Sequence, residues 1–189
     1  MARFGLFVAH PEVVIDPAVP VPRWHLSEAG VARMRRLAAD PSLDGLAAVW
    51  ASDETKAIES AGLLAARFGL PVRVHPGLAE MDRSSTGYLP RAEFERHADA
   101  FFARPAESVA GWEKAVDAQA RILATARDIL DGHAAGGIAL VGHGGTGTLL
   151  MQALAGRPIS RADDVPAAGC TWRFAFDPLR VTELWRAIP

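Results

Sequence analysis

The sequence predicts an α/β protein: a three-layer sandwich with a mostly parallel central sheet and helices on both faces. Two observations support this prediction. Short apolar runs, typical of strands buried on both faces, alternate with longer segments of helical periodicity. Three of these runs end abruptly, just before His10, Ser52 and His143. Since ligands of such sheets bind beyond the carboxyl ends of the strands, we expect the functional residues there.

The first part of the chain contains two strand-then-helix units. The apolar run over residues 3–9 predicts a strand that ends at His10, and the four prolines within residues 11–22 predict an extended loop. Ser27 is the predicted N-cap of a helix that ends near Ala39. The second unit, residues 46–69, has an apolar run, a helical period and a terminal glycine.

The remainder of the chain continues the alternation and ends on two strands. Residues 77–90 mix turn residues and charges without a clear period, so we interpret them as a functional loop. The other predicted elements are strands over 71–74, 137–142, 170–176 and 180–185 and helices over 90–103, 112–132 and 144–155.

Composition limits the classes of function. With 189 residues and 50% hydrophobic content, the chain suits one domain over residues 1–189 with a sizeable core. The net charge of −2 disfavours nucleic acid or a membrane surface as a partner, and the sequence leaves a homodimer open. Cys170 is the single cysteine and no apolar run is long enough to cross a bilayer, so we expect a cytoplasmic protein.

The strongest local signal is VGHGG, in which an apolar run ends at His143 and two glycines begin a helix. Glycines at a helix start allow backbone N–H groups to approach an anion, although they also suit a plain tight turn. A second histidine at a strand end, His10, favours the anion site. Two such imidazoles would each need a buried partner if they served only packing.

Five short motifs, in order, resemble the histidine phosphatase (phosphoglycerate mutase-like) superfamily. That family has Arg-His-Gly-Glu, Leu-Thr-x-x-Gly, Ser-x-x-x-Arg-Ala, Leu-x-Glu and Ser-His-Gly-Gly. The corresponding stretches in this chain are FVAHPE, LSEAG, SDETKA, LAE and VGHGG. Each motif is weak alone, but the five together favour this family over an unrelated α/β fold.

The resemblance implies roles for several residues. His10 would be the nucleophile that forms a phosphohistidine, and His143 would stabilise charge on the phosphoryl oxygens. Glu80 would donate the proton to the leaving oxygen, with Asp82 as a neighbour that raises its pKa. Lys56 and Gly144 would help to bind the phosphate.

The chain also departs from the family pattern. Ala9 stands where the family has an arginine before the nucleophile, Pro11 replaces the following glycine, and Lys56 replaces a second arginine. Loss of a bidentate guanidinium weakens phosphate binding, and a lysine supplies charge without the planar fork. Arg23 and Arg83, on loops next to the site, are the candidates to compensate.

The sequence therefore predicts a phosphomonoester hydrolase that needs no metal or cofactor and acts on a small phosphorylated molecule. Hydrolysis is favoured over mutase activity because nothing in the sequence encodes retention of a donor phosphate. The alternative is a catalytically impaired member that binds an anion or regulates, since Ala9 puts activity in doubt. A metal site of His10, Glu12 and His143 has suitable ligand types but no recognisable ligand spacing.

Overall fold

The protein is described by a computed structural model that covers residues 3–189. The described part of the chain forms one six-stranded sheet with the spatial order β3-β2-β4-β1-β5-β6. The strands are β1 Gly5–Ala9, β2 Leu46–Ala51, β3 Val72–Val74, β4 Gly137–Gly142, β5 Cys170–Phe176 and β6 Leu179–Ala187. Strands β3, β2, β4 and β1 are parallel, whereas β5 and β6 add an antiparallel edge.

The helices are α1 Glu28–Ala38, α2 Thr55–Phe68, α3 Arg91–Ala103, α4 Ala115–Asp131 and α5 Gly144–Leu154. Their ends follow the signals in the sequence. The Ser27 hydroxyl accepts a hydrogen bond from the N–H of Gly30 and so caps α1, as predicted. Helix α2 ends at Gly69, whose φ of 63° lies in the left-handed region that favours glycine.

The core lies on both faces of the sheet, as the predicted three-layer architecture requires. On one face, Leu6 and Val8 of β1 belong to the cluster that includes residues of α1 and α2. On the other face, Phe7 belongs to the cluster that includes residues of α4 and α5. This alternation within one strand confirms a strand buried on both sides. Within residues 3–189 no helix is both long and apolar enough to cross a membrane.

The register of the parallel strands determines which residues meet at the carboxyl edge. Ala9 of β1 pairs with Gly142 of β4, so the next residues, His10 and His143, leave the sheet side by side. Ala51 of β2 pairs with Val141 of β4, which brings Ser52 to the same edge.

Helix α4 and strand β6 are two of the elements whose bounds differ from the predicted ones. Helix α4 begins at Ala115 rather than at 112, because Trp112 is a buried anchor whose indole N–H donates to Thr86 Oγ1 at 2.9 Å. Strand β6 extends beyond the predicted 180–185 at both ends, since antiparallel pairing with β5 continues from Leu179 to Ala187.

Candidate active site

A cleft of about 700 Å³ opens at the carboxyl edge of the sheet. Its floor contains His10 and His143, which follow β1 and β4. Its walls are residues 17–23, the start of α2 and the loop from Ala79 to Tyr88. This is the position at which open α/β sheets bind ligands.

The two histidines lie together, as the strand ends predicted. Their ring centroids are 5.2 Å apart and the rings are inclined at 73°. Both side chains therefore border one small volume at the bottom of the cleft.

His10 is held in one tautomer by the backbone of the next residue. Its Nδ1 lies 2.9 Å from the carbonyl oxygen of Pro11, and a carbonyl only accepts, so Nδ1 carries the proton. Burial, together with the Lys56 ammonium, lowers the pKa of His10 to about 4. At neutral pH the ring is uncharged and Nε2 has a free lone pair, as a nucleophilic imidazole requires.

His143 lies in a buried polar network. Its Nε2 is 2.7 Å from Ser52 Oγ and 3.4 Å from Glu54 Oε1. Its Nδ1 is buried without a hydrogen-bond partner among the residues that the structure describes. Burial lowers the pKa of His143 well below its ordinary value, against the opposing effect of Glu54. A buried nitrogen without a partner is costly, which favours a ligand atom there.

Glu54 is the main site residue that the sequence analysis missed. Its carboxylate pairs with the ammonium of Lys56, and the two side chains are 9% and 5% exposed. Although burial raises the pKa of Glu54, the neighbouring His143 and Lys56 bring it down to about 2. Lys56 Nζ also donates to the Val21 carbonyl at 3.0 Å. The signal in the sequence was an acidic residue two positions before the expected basic one, in SDETKA.

Glu80 lies in the cleft, where the acid was predicted, and contacts the start of α5. Its carboxylate accepts hydrogen bonds from the N–H groups of Thr146 at 2.9 Å and Gly145 at 3.3 Å. Burial raises the pKa of Glu80, and the nearby Glu54 raises it further. The neighbouring carboxylate that raises the pKa of Glu80 is therefore that of Glu54. The expected neighbour, Asp82, is instead an exposed residue that accepts from the N–H of Ser84.

Arg121 of α4 holds the loop around Glu80 in place. This guanidinium donates to the carbonyls of Gly77 at 3.0 Å, Ala79 at 3.1 Å and Glu80 at 3.2 Å. It also pairs with Glu113 at 2.7 Å. The sequence analysis missed this contact because Arg121 lies in an amphipathic helix, 41 to 44 residues from the carbonyls that it holds.

The two glycines after His143 are required by close packing. A Cβ on Gly145 would lie 2.4 Å from Met81 Cε and 3.0 Å from Glu80 Oε1. A Cβ on Gly144 would lie 2.4 Å from Val165 Cγ1. Gly145 therefore lets the Glu80 loop approach the helix. At this helix start, where the sequence predicted an anion site, the N–H groups of Gly145 and Thr146 donate to Glu80, while phosphate binding at Gly144 stays a prediction.

The two arginines predicted to compensate for Ala9 occupy different places. Both line the cleft, but Arg23 is exposed. Arg83 is half-buried, donates to the Gly87 carbonyl at 3.2 Å and packs 5.2 Å from the ring centroid of Phe94. Burial lowers the pKa of Arg83, while Glu80 and Glu54 oppose that shift. Arg83 is thus the better placed of the two.

The outer wall of the cleft is the proline segment, residues 17–22, which contains Pro17, Pro20 and Pro22. The indole N–H of Trp24 donates to the carbonyls of Asp16 at 2.9 Å and Val19 at 3.0 Å, and these hydrogen bonds hold the segment in place. Trp24 in turn packs on Tyr88 of the opposite wall, with ring centroids 5.6 Å apart.

The hypothesis of a metal site at His10, Glu12 and His143 gains no support from the geometry. Glu12 Oε1 accepts from Arg33 Nη1 at 2.7 Å, in contact with α1 rather than with the two histidines. In the described range, 3–189, no three His, Cys, Asp or Glu side chains lie close enough to hold a metal ion.

A mixed sheet with helices on both faces and a histidine pair at two neighbouring strand ends defines an α/β protein of the phosphoglycerate mutase-like class. The chain belongs to the histidine phosphatase superfamily (branch 1), whose family model matches residues 21–176. This match begins after the divergent stretch that contains Ala9, His10 and Pro11. No curated protein matches the chain by sequence.

Solved structures share the fold over nearly the whole chain. YhfR from Bacillus stearothermophilus has a TM-score of 0.81 at 21% identity, covering 96% of this chain and 95% of that one. Mycobacterial glucosyl-3-phosphoglycerate phosphatase in complex with VO3 has a TM-score of 0.79 at 23% identity, covering 98% and 100%. A third structure, from Thermus thermophilus, has a TM-score of 0.67 at 26% identity, covering 96% and 98%.

Proposed function

We propose that this protein is a phosphomonoester hydrolase that acts through a phosphohistidine at His10. The observation that carries the proposal is the hydrogen bond between His10 Nδ1 and the Pro11 carbonyl, which leaves Nε2 unprotonated beside His143. Membership of the superfamily and the phosphatases among the structural neighbours support the same reaction class.

In the first step His10 Nε2 attacks phosphorus, so that an N–P bond forms and the ester P–O bond breaks. Glu80 gives its proton to the departing oxygen, a role suited to a carboxyl whose pKa is raised by burial. In the second step the Glu80 carboxylate takes a proton from water as the water oxygen attacks phosphorus. The N–P bond breaks, phosphate leaves, and both residues return to their first state.

His143 and the cationic side chains of the cleft bind the phosphoryl oxygens in this scheme. The buried Nδ1 of His143 has no partner within residues 3–189, and it would carry a proton for a phosphoryl oxygen when Ser52 Oγ donates to Nε2. Lys56 and Arg83 line the same cleft as His10. Positioned donors of this kind stabilise the charge that develops during phosphoryl transfer.

The proposal is tested by trapping the intermediate. The protein is mixed with an aryl phosphate, quenched in alkali and analysed by mass spectrometry for a phosphorylated peptide that contains His10. We expect the phosphopeptide and steady release of phosphate, and expect both to disappear in His10→Ala. His25→Ala, which removes a histidine ring that is 68% exposed, should change neither. Turnover that persists in His10→Ala would refute the proposal.

A second function, binding of an anion without turnover, is favoured by two features of the site. Ala9 offers no guanidinium, and the Lys56 ammonium is already paired with Glu54. The same experiment separates the two functions, since a binding protein would retain phosphate in equilibrium dialysis yet form no phosphohistidine.

A further inference from the structure

The cleft contains less positive charge than a doubly charged phosphate group requires. A phosphate pocket in this fold has three obvious sources of positive charge: the residue before the nucleophile, the basic residue near the start of α2, and the N-terminus of α5. In this chain the first is Ala9, a buried residue without charge. The other two are each occupied by a carboxylate.

Glu54 neutralises the basic residue. Its carboxylate is paired with Lys56, both side chains are nearly buried, and a second N–H of the ammonium is used by the Val21 carbonyl. The other carboxylate oxygen, Oε1, lies 3.4 Å from His143 Nε2. A negative charge is therefore fixed at the edge of the place where phosphoryl oxygens would bind.

Glu80 occupies the helix terminus. Its carboxylate accepts hydrogen bonds from the N–H groups of Gly145 and Thr146, two of the donors that the first turn of α5 would otherwise offer to an anion. Its carboxyl group adds either no charge or a second negative charge to the cleft, depending on whether it is protonated. In neither state does it attract a phosphate.

With Glu80 protonated, as the first step of the proposed reaction requires, the charged groups leave about one positive charge in the interior of the cleft. The imidazoles of His10 and His143 are neutral because burial lowers the pKa of each. Arg83 is the half-buried cation that no carboxylate pairs with inside the described residues. Exposed Arg23, Asp53 and Asp82 lie at the rim, where solvent screens them.

We propose that the cleft binds the singly charged form of its substrate, the monoanion of a phosphomonoester, in preference to the dianion. This inference rests on the proposed hydrolase function. One charge is balanced by Arg83, whereas a second would lie next to Glu54 with no free cation to balance it. Because the second pKa of a phosphate ester is about 6, the monoanion is the minor form at neutral pH.

The test compares two anions of the same shape and different charge. Benzenesulfonate and phenylphosphonate are both tetrahedral and resist hydrolysis, but at about pH 8.5 the first carries one charge and the second carries two, as a phosphate ester does. Binding of each to the wild-type protein is measured by isothermal titration calorimetry. We expect benzenesulfonate to bind at least tenfold more tightly.

Glu54→Gln removes the fixed negative charge and frees the Lys56 ammonium. We expect this variant to gain at least tenfold in affinity for phenylphosphonate, which abolishes the preference of the wild type. Asp128→Asn, which removes an exposed carboxylate from α4, is the matched control and should retain that preference. If Glu54→Gln does not fold, the wild-type comparison alone decides.

Tighter binding of phenylphosphonate by the wild type would overturn the inference, and so would failure of both compounds to bind. Neither result depends on catalysis, because neither compound is hydrolysed. Absence of phosphohistidine in the trapping experiment would overturn the proposed function and leave the charge preference measurable. The two failures are therefore distinguishable.

Discussion

The two strand ends that bring a histidine to the cleft are built in different ways. At the β1 end, His10 is oriented by one hydrogen bond to the adjacent Pro11 carbonyl and follows the uncharged Ala9. At the β4 end, His143 belongs to a buried network with Ser52 and Glu54, next to the Glu80 contact with α5. In the proposed mechanism the β1 end would supply the reactive nitrogen, whereas the network at the β4 end would supply hydrogen bonds and charges around it.

The largest effect is expected for Glu80, the proposed acid, which contacts the helix start beyond β4. Glu80→Gln keeps the shape but has no proton to donate, so hydrolysis of an alkyl phosphate should slow by about 10²–10⁴-fold. An aryl phosphate with a good leaving group should slow far less. Rates for the two esters are compared in the variant and the wild type. Equal losses on both substrates would remove Glu80 from the acid role and with it the proposed division between the two ends.

The next largest effect is expected in the way that the free energy of unfolding depends on pH, and it arises from His10. Its pKa of about 4 in the folded protein lies below that of a free imidazole, 6.5, so the unfolded chain binds more protons between these values. The free energy of unfolding should therefore fall as pH drops from 6.5 to 4, with a contribution from His10 on the order of 3 kcal/mol. Urea unfolding at a series of pH values measures this.

The control for this pH dependence is His10→Gln, which should show a shallower decline. The pKa of His143 is also lowered on folding, so part of the decline in stability remains in this variant. The pKa of Glu54 is lowered from 4.5, so its contribution to stability is lost only below about pH 4.5. If the free energy of unfolding of His10→Gln varies with pH as it does in the wild type, the pKa of His10 is the same in the folded and the unfolded protein.

A smaller effect is expected at the anchor of His143. Ser52→Ala removes the hydroxyl 2.7 Å from Nε2, which should cost about 1 kcal/mol of stability and about tenfold in kcat. Ser60→Ala removes a buried hydroxyl that bonds the Lys56 carbonyl, and should cost similar stability without lowering kcat. If both variants are equally active, His143 does not need this anchor and the β4 network is structural.

The smallest effect is expected where α5 meets the Glu80 loop. Gly145→Ala places a methyl group against Met81 and Glu80, and the flexible end of Met81 absorbs part of the clash, so we expect a loss of about 1 kcal/mol. Gly62→Ala in α2 meets nothing within 4 Å and should gain about 0.5–1 kcal/mol from helix propensity. Thermal unfolding compares the two. If both variants are more stable than the wild type, the approach of the Glu80 loop to α5 does not require a glycine at position 145.

Much of the fold could be predicted because apolar runs and turn residues are local signals. Strands β2, β4 and β5 begin and end where the sequence placed them. The first two are compact apolar runs and β5 alternates, and all three are bounded by polar or glycine residues. The ends of β6 could not be predicted in the same way. They depend on pairing with β5 across the edge of the sheet, and no local pattern specifies that extension.

The site was predictable only in part, for the same physical reason. His10, His143 and Glu80 follow strands or match a motif, so their convergence in one cleft could be anticipated, while their catalytic roles stay predictions. Glu54 acts through Lys56 and His143, and Arg121 acts on carbonyls of a distant loop. The Glu54–His143 and Arg121 contacts join residues far apart in the chain, which a single sequence does not show. The Glu54–Lys56 pair is local, but nothing in the sequence indicates that it is buried in the cleft.

The proline segment has a consequence for the entropy of binding. Each proline fixes its φ before the chain folds, and Trp24 and Lys56 hold carbonyls within the segment and next to it. The wall is thus ordered whether or not a ligand is present, and little chain freedom is lost when one enters. Association should then proceed at the rate of a rigid, open cleft, without a slow rearrangement that precedes or follows the encounter.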